Sequence, residues 1–341
     1  MIKINERKSV LLKASEKDKN VPDNFYSTTN YSTQVFYENE WLTVQNQRMD
    51  ALIVIKDGMA SCKKLREIKK GDIVVCGDTG VKVVMENEEA ECDNSFNFMN
   101  NCVSSERRNE LLIRDLAYEL FEQNKKLTIV AGPVVVHTGG DYYLSELIRQ
   151  GYIASILSGN AVAVHDMEKS LFGTSLGICA KSGRVTHNGY RNHMRAINQV
   201  MKYGTIKKTV EAGALNSGIM YECVKNNVPF VLAGSLRDDG PLPDTITDMV
   251  EAQNAYSEQL KKADIVLILG TMLHGIASGN MLPAKIKMIC VDINSAVVTK
   301  LSDRGSGQAI GIVTDVGLFL NLLANELNKL ENMPKYAAQG I

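Results

Sequence analysis

The sequence predicts an α/β fold: a mostly parallel sheet with helices on both faces, preceded by a small β-rich region. Three observations predict it. From Leu127 onward, strand-length apolar runs alternate with helix-like stretches, the pattern of a parallel sheet crossed by helices. Four of those runs end in polar tips: PFVLAG before SLRDDGPLPD, DIVLILG before TMLHGIASGNMLP, IKMICVDIN, and AIGIVTDVG. A continuous apolar run is what a strand buried on both faces requires. Ahead of Leu127, short β-branched runs are separated by Asp-Gly, Lys-Gly-Asp and Asp-Thr-Gly turns, the pattern of antiparallel strands.

In chain order, residues 1–33 are polar and charged and read as an irregular lead-in. Residues 34–95 form the small β-rich region, where TQVFYENEWLTV alternates around a turn-like Glu-Asn-Glu centre. Residues 96–126 hold a connector helix over 103–126, with Ser104 or Ser105 as N-cap and Leu111, Leu112, Leu116 and Leu120 on one face. The α/β region spans 127–330. It opens with strand LTIVAG, then a helix ending at Gly151. Strand IASILSG follows, then helices over 189–202 and 217–227. The four tipped strands come next, with helices over 244–262 and 316–330. Residues 331–341 read as a tail.

The composition excludes several classes. Hydrophobic residues make up 45% and charged residues 23% of 341, ordinary for a globular chain. Lys plus Arg (38) nearly balances Asp plus Glu (39), so no global field favours nucleic acid or an anionic membrane. No apolar run reaches the roughly 18 residues of a membrane helix. Seven cysteines without a C-x-x-C pair argue against a disulfide framework or a zinc ribbon, and fit a reducing cytoplasm.

In an open parallel sheet, ligands lie beyond the carboxyl ends of the strands, so the polar tips outline a site. IVAGPVVVHTGG carries Gly132, Gly139 and Gly140, either a phosphate cradle or a tight turn. ILSGNAVAVHD places Asn160 just past a strand. His165 and Asp166 follow, either as acid and base or as a core histidine and a capping aspartate. Thr271 to His274 offers backbone to a dinucleotide. Asp292 at a strand end could accept ribose hydroxyls, and Asp315 with Val316 begins the last helix at the same edge. RDDGPLPD concentrates Asp238, Asp239 and Asp244 beside Arg237; adjacent carboxylates can split their pKa values and serve a base or a cationic amine. His187 and His193, six apart, do not share a helix face, and no metal site is expected.

At these residues the chain resembles the archaeal-type ornithine cyclodeaminases, relatives of the C-terminal half of bifunctional arginine dihydrolase/ornithine cyclodeaminases and of the lysine-oxoglutarate reductase/saccharopine dehydrogenase conserved region. The segments that carry the resemblance include NFYSTTN, VAGPVVVHTGG, SGNAVAVHD, VPFVLAGSLRDDGPLPD, GTMLHGIASGNMLP and KLSDRGSGQAIGIVTDVG, within residues 25–322. The family carries an additional segment before the Tyr-Ser-Thr-Thr-Asn motif, where this chain has a short polar lead-in before Tyr26.

The resemblance implies a Rossmann-like sheet of the deoxyhypusine-synthase type and a tightly bound NAD. It implies conversion of L-ornithine to L-proline with loss of ammonia, by internal hydride removal and return. Carried over, the NAD contacts fall on Asn160, Ala161, Asp239, Thr271, Met272, Leu273, His274, Asp292, Asp315 and Val316. The expected catalytic side chains are Asp238, Asp239 and His165. The expected partners are L-ornithine and further copies of the chain, with no nucleic acid and no membrane. Two other readings share the cofactor: an amino-acid or opine-type dehydrogenase of the saccharopine dehydrogenase kind, which would release NADH, and a non-catalytic NAD sensor.

Overall fold

A computed structural model describes residues 9–84, 106–238, 240–304 and 309–332. Two compact units are present. The first contains β1 (Leu11–Ala14), β2 (Ser32–Tyr37), β3 (Glu40–Thr43), β4 (Leu52–Lys56), β5 (Met59–Lys63), β6 (Ile73–Cys76) and β7 (Val81–Val84). They form two antiparallel sheets, ordered β1-β6-β4-β5 and β3-β2-β7. The β4–β5 hairpin turns at Asp57 and Gly58, both at positive φ, the geometry that an Asp-Gly pair favours. The β2–β3 hairpin turns at Glu38 and Asn39, inside the Glu-Asn-Glu centre.

β1 departs from the expected irregular lead-in, because Leu11–Ala14 pairs with β6 in register. It is the edge strand of its sheet, and Leu11, Lys13 and Ala14 are exposed on it. Gly279–Ile286, inside the span read as the α/β region, is compact with this first unit. Asn30 holds it there, donating to the carbonyls of Gly279 and Leu282 at 2.9 and 2.6 Å.

The second unit starts with α1 (Glu106–Glu122), β8 (Leu127–Ala131), α2 (Val134–His137), α3 (Gly140–Arg149), β9 (Ile153–Gly159) and α4 (Asn160–Phe172). A hairpin of β10 (Thr174–Ser175) and β11 (Ile178–Cys179) follows, then α5 (Asn192–Tyr203), α6 (Ile206–Glu211) and α7 (Ile219–Lys225). The unit continues with β12 (Phe230–Ala233), β13 (Thr245–Ile246), α8 (Met249–Leu260), β14 (Ile265–Leu269) and α9 (Met272–Met281), which belongs to it as far as Ser278. It closes with β15 (Lys287–Asp292), α10 (Ser295–Arg304), β16 (Ala309–Val313) and α11 (Val316–Glu331).

Seven strands form one parallel sheet, ordered β13-β12-β9-β8-β14-β15-β16. Every residue of β8 and β14 is buried, so helices cover both faces, as their unbroken apolar runs require. The chain runs outward from β8 through β9, β12 and β13, then returns to the other side of β8 for β14, β15 and β16. This reversal opens a crevice between β8 and β14 at the carboxyl edge, where such sheets bind ligands.

The helix expected over 244–262 begins five residues later. Thr245–Ile246 pair with β12 as an edge strand, and Asp248 then caps α8, accepting from the backbone N–H of Val250 and Glu251 at 2.8 and 2.9 Å. Removing this cap with Asp248→Ala is expected to lower stability by about 1 kcal/mol. Denaturant unfolding of the variant beside the parent measures the loss.

Candidate active site

Side chains and backbone from four strand tips converge at the crevice. They are Gly132 and Pro133 after β8; Gly159, Asn160, Ala161 and Val162 after β9; Ala233, Ser235 and Asp238 after β12; and Thr271 with His274 after β14. The two central tips approach backbone to backbone. A Cβ on Gly132 would stand 2.1 Å from the Gly270 carbonyl oxygen, and Gly270 itself holds φ at +56°. Only glycine fits this contact.

α4 begins directly at the cleft. Gly159 is its N-cap and supplies no side chain to satisfy the first-turn N–H groups, which leaves them for an anion. A Cβ on Gly159 would also crowd the His274 ring, at 3.1 Å. His274 packs edge-on against Tyr256, whose hydroxyl donates to the Ser158 carbonyl at 2.8 Å. Burial pushes the His274 imidazole below its ordinary pKa, so it is neutral at pH 7.

The wall between β9 and β12 is tied by Asn160. Its Oδ1 accepts from the Leu242 N–H and the Thr245 hydroxyl, both at 3.0 Å. The side-chain oxygen thus holds the loop after β12. Asp238 folds back on the same loop, accepting from the Ser235 N–H at 2.7 Å and its hydroxyl at 3.2 Å, while lining the cleft. Asp239 lies outside the described residues.

The structure brings Asn160, Ala161, Asp238, Thr271 and His274 into one cleft. The other proposed contacts lie on the same sheet edge but not in its wall. Met272 and the exposed Leu273 open α9. Asp292 ends β15 and accepts from the Asn294 N–H at 2.8 Å. Asp315 caps α11 through the Leu318 N–H at 2.9 Å, and Val316 is 2% exposed, so it can offer a ligand only backbone.

His165 stands one helical turn along α4 from Ala161, bonded to Glu168 at 3.1 Å. Asp166 is not its acid–base partner. It points the other way and accepts from the N–H groups of Ile219 and Met220, both at 2.8 Å, at the start of α7. Asp244 also leaves the carboxylate cluster: half-buried, it accepts from the Ile206 N–H at the start of α6. Gly140 serves packing, since a Cβ there would meet Leu320 and Gly317 of α11. Sequence reasoning did not single out Ser235, Pro133 or Tyr256. Tyr256 carries no signal along the chain, because its contact with His274 spans two elements.

Comparison with known proteins follows the same division. The family described as arginine dihydrolase ArgZ-like, C-terminal, Rossmann fold, matches residues 113–323, and its companion, the first region of the same C-terminal part, matches 32–113. An ornithine cyclodeaminase of Methanocaldococcus jannaschii is 51% identical over 338 residues, covering 96% of this chain and 80% of that protein. A bifunctional arginine dihydrolase/ornithine cyclodeaminase, AgrE, of Nostoc is 50% identical over 318 residues, covering 91% of this chain and 45% of that protein.

A crystal structure of a conserved LOR/SDH protein from Methanococcus maripaludis superposes with a TM-score of 0.91 at 46% identity, covering 95% of this chain and 99% of that one. AgrE solved with ornithine and NAD+ superposes at 0.64 with 46% identity, covering 96% of this chain and 47% of that one. With more than half its length matched by the Rossmann-fold description and relatives half identical across nearly all of it, the chain belongs to the ArgZ-like C-terminal family.

Proposed function

We propose that this chain is an NAD-dependent ornithine cyclodeaminase that converts L-ornithine to L-proline and ammonia. One observation carries the reading. Relatives about half identical over nearly the whole chain bear that name, and a relative of the same family has been solved with ornithine and NAD+ together.

The residues present fit a dinucleotide. The glycine tips of β8 and β14 bring backbone to the crevice, and the uncapped start of α4 faces it. Backbone at Ala161 and from Thr271 to His274 would hold the cofactor near its phosphates. Asp292 and Asp315 would take ribose hydroxyls, and Asp239 and Val316 complete the proposed contacts. When bound, NAD supplies hydride acceptance and return at Cα of the substrate, so no net redox change results.

The protein's own part is to hold, shield and deprotonate. Asp238, half-buried at the cleft, would pair with a substrate ammonium, and Asp239 is proposed beside it. Neutral His274 and the apolar flank of Pro133 and Val162 keep water from the reacting carbon.

Incubation with ornithine and substoichiometric NAD is expected to yield proline and ammonia without accumulating NADH. Stoichiometric NADH with a keto acid product would instead establish a dehydrogenase. NAD binding without turnover would leave a sensor. Asp238→Ala is expected to lower kcat/KM about 100-fold, and full turnover would remove Asp238 from the site; Asp239→Ala is read in the same way.

We place the protein in the cytoplasm. Among the described residues the five cysteines are unpaired, as a reducing compartment favours. No described helix is long and apolar enough to cross a membrane. Assembly into a homo-oligomer is expected, and light scattering of the purified chain measures it.

A further inference from the structure

A second cluster of titratable groups lies one turn beyond the cleft wall. Pro133 and Ala161 line the cleft; His137 and His165 follow each of them by four residues on α2 and α4. Residues four apart share a helix face, about 6 Å further along the axis. The two imidazoles meet edge to face, with ring centroids 5.0 Å apart. Ala161, His165 and Lys169 form the half-exposed stripe of α4, while Val162 to Val164 and Asp166 to Glu168 are buried. The stripe therefore continues the cleft toward the histidines.

Each imidazole is held through Nδ1. His165 Nδ1 lies 3.1 Å from Glu168 Oε2, and His137 Nδ1 lies 2.7 Å from the Ser175 hydroxyl. Glu168 is fully buried and takes three more donors: the Thr174 hydroxyl at 2.9 Å and the N–H groups of Leu176 and Gly177 at 3.2 and 3.0 Å. Leu176 adopts a left-handed φ of +53° in this turn, a conformation that costs energy for a residue with a Cβ. Burial alone would raise the Glu168 pKa, but the donors from His165, Gly177 and Thr174 outweigh it and keep the carboxylate ionised.

A buried anion of this kind fixes the tautomer of its imidazole partner. With Nδ1–H directed at Glu168, His165 carries its lone pair on Nε2. Among the described residues Nε2 has no hydrogen-bond partner.

We propose that His165 Nε2 is the group that exchanges protons with the amines of ornithine and that Glu168 is its positioning residue, while His137, fixed by Ser175, packs edge-on against the His165 ring. The inference rests on the cyclodeaminase reading. The redox half of the reaction belongs to the cofactor; the acid–base half falls to these side chains. His165 takes a proton from the side-chain ammonium of ornithine. Once Cα has lost its hydride and the α-ammonium one proton to solvent, Cα is an iminium carbon; the freed amine forms the new C–N bond there, and the π pair moves onto the original nitrogen. The bond from Cα to the original nitrogen breaks, and that nitrogen leaves as ammonia, recovering the proton from His165. One ornithinium cation enters, proline and ammonium leave, and the protein ends with no extra proton.

His137 keeps the surroundings of His165 from gaining a second positive charge. Burial and the neighbouring His165 push its pKa down, Glu168 opposes, and Lys169 lowers it further. Lys169 is itself paired with Asp141 of α3 at 2.6 Å. His137 therefore favours its neutral form beside the His165 ring.

The test uses full-length protein with NAD. His165→Ala is expected to lower kcat about 100-fold or more while NAD affinity, read by fluorescence titration, stays within about twofold. Added imidazole should restore part of kcat, which a merely structural role would not allow. Because Glu168→Gln could disturb the 174–177 turn, the dyad is also read in the parent protein. Nitrogen-15 histidine spectra should show His165 protonated at Nδ1 and bare at Nε2. A wild-type chain that makes no proline overturns the cyclodeaminase reading itself. An active wild type with normal kcat in His165→Ala, no imidazole rescue, or the opposite tautomer overturns the His165 assignment alone.

Discussion

Gly132→Ala is expected to destabilise the α/β unit by about 2–3 kcal/mol and to abolish measurable NAD binding. The added methyl would stand 2.1 Å from the Gly270 carbonyl oxygen and 2.9 Å from its carbon. Both are backbone atoms, so no rotamer relieves the clash. Neither strand tip can give way. The Gly132 N–H donates to the Leu269 carbonyl at 2.8 Å, and the Gly270 N–H donates to the Val291 carbonyl at 2.9 Å. Just before these tips Ala131 and Leu269 are paired in register. The methyl must therefore force β8 and β14 apart at the point where the crevice opens.

Gly270→Ala makes an instructive contrast. Its methyl would meet the Val134 side chain, with Cγ1 1.9 Å away, and would also strain a φ of +56°. Trimming Val134 to alanine in the same chain should recover part of that loss, but no side-chain truncation should rescue Gly132→Ala. Thermal unfolding and NAD titration of the variants decide it. A Gly132→Ala protein with parental melting temperature and affinity would show that the crevice is wider than this contact implies.

The same glycines show what a sequence discloses and what it withholds. The strands β8 and β14 were legible because burial on both faces leaves almost only apolar residues, Thr128 being the exception, and the tips because a parallel sheet must end in loops at one edge. The side-chain roles were less legible. Asp166 and Asp244 are chemically indistinguishable along the chain from Asp238, yet they cap α7 and α6 while Asp238 lines the cleft. Which carboxylate faces a helix start is decided by elements 38 to 54 residues away. Glu168 was missed for the same reason. In sequence it is one polar residue in an ordinary helix. Its meaning comes from the turn at 174–177 and from His137 on another helix reaching the same point.

The stability of the chain is expected to fall by roughly 4 kcal/mol between about pH 4 and pH 7 through Asp166 alone. Asp166 is 1% exposed and burial pushes its carboxyl from 3.8 up to about 7, with Asp141 adding to the rise; the N–H donors of Met220 and Ile219 and the Lys169 charge oppose it. A folded-state pKa above the unfolded one means that the native protein binds the extra proton. The stabilisation is complete below about pH 4, where both states are protonated. It declines by about 1.4 kcal/mol per pH unit as the unfolded state alone ionises, and is gone above about pH 7.

His137 acts in the opposite sense, since its depressed pKa adds stability as pH rises, so the total profile will be flatter than this one contribution. Asp166→Asn isolates it. The amide keeps one acceptor, presents a donor to the other N–H at the start of α7, and costs about 1–3 kcal/mol at alkaline pH. It cannot titrate. Denaturant unfolding from pH 4 to 9 should therefore give a wild-type minus variant difference that falls steadily to about pH 7 and is level beyond. A level difference throughout would mean that the group does not change protonation on unfolding. A difference that rises with pH would mean that the two backbone N–H groups at the helix start, not burial, set the charge of this carboxyl.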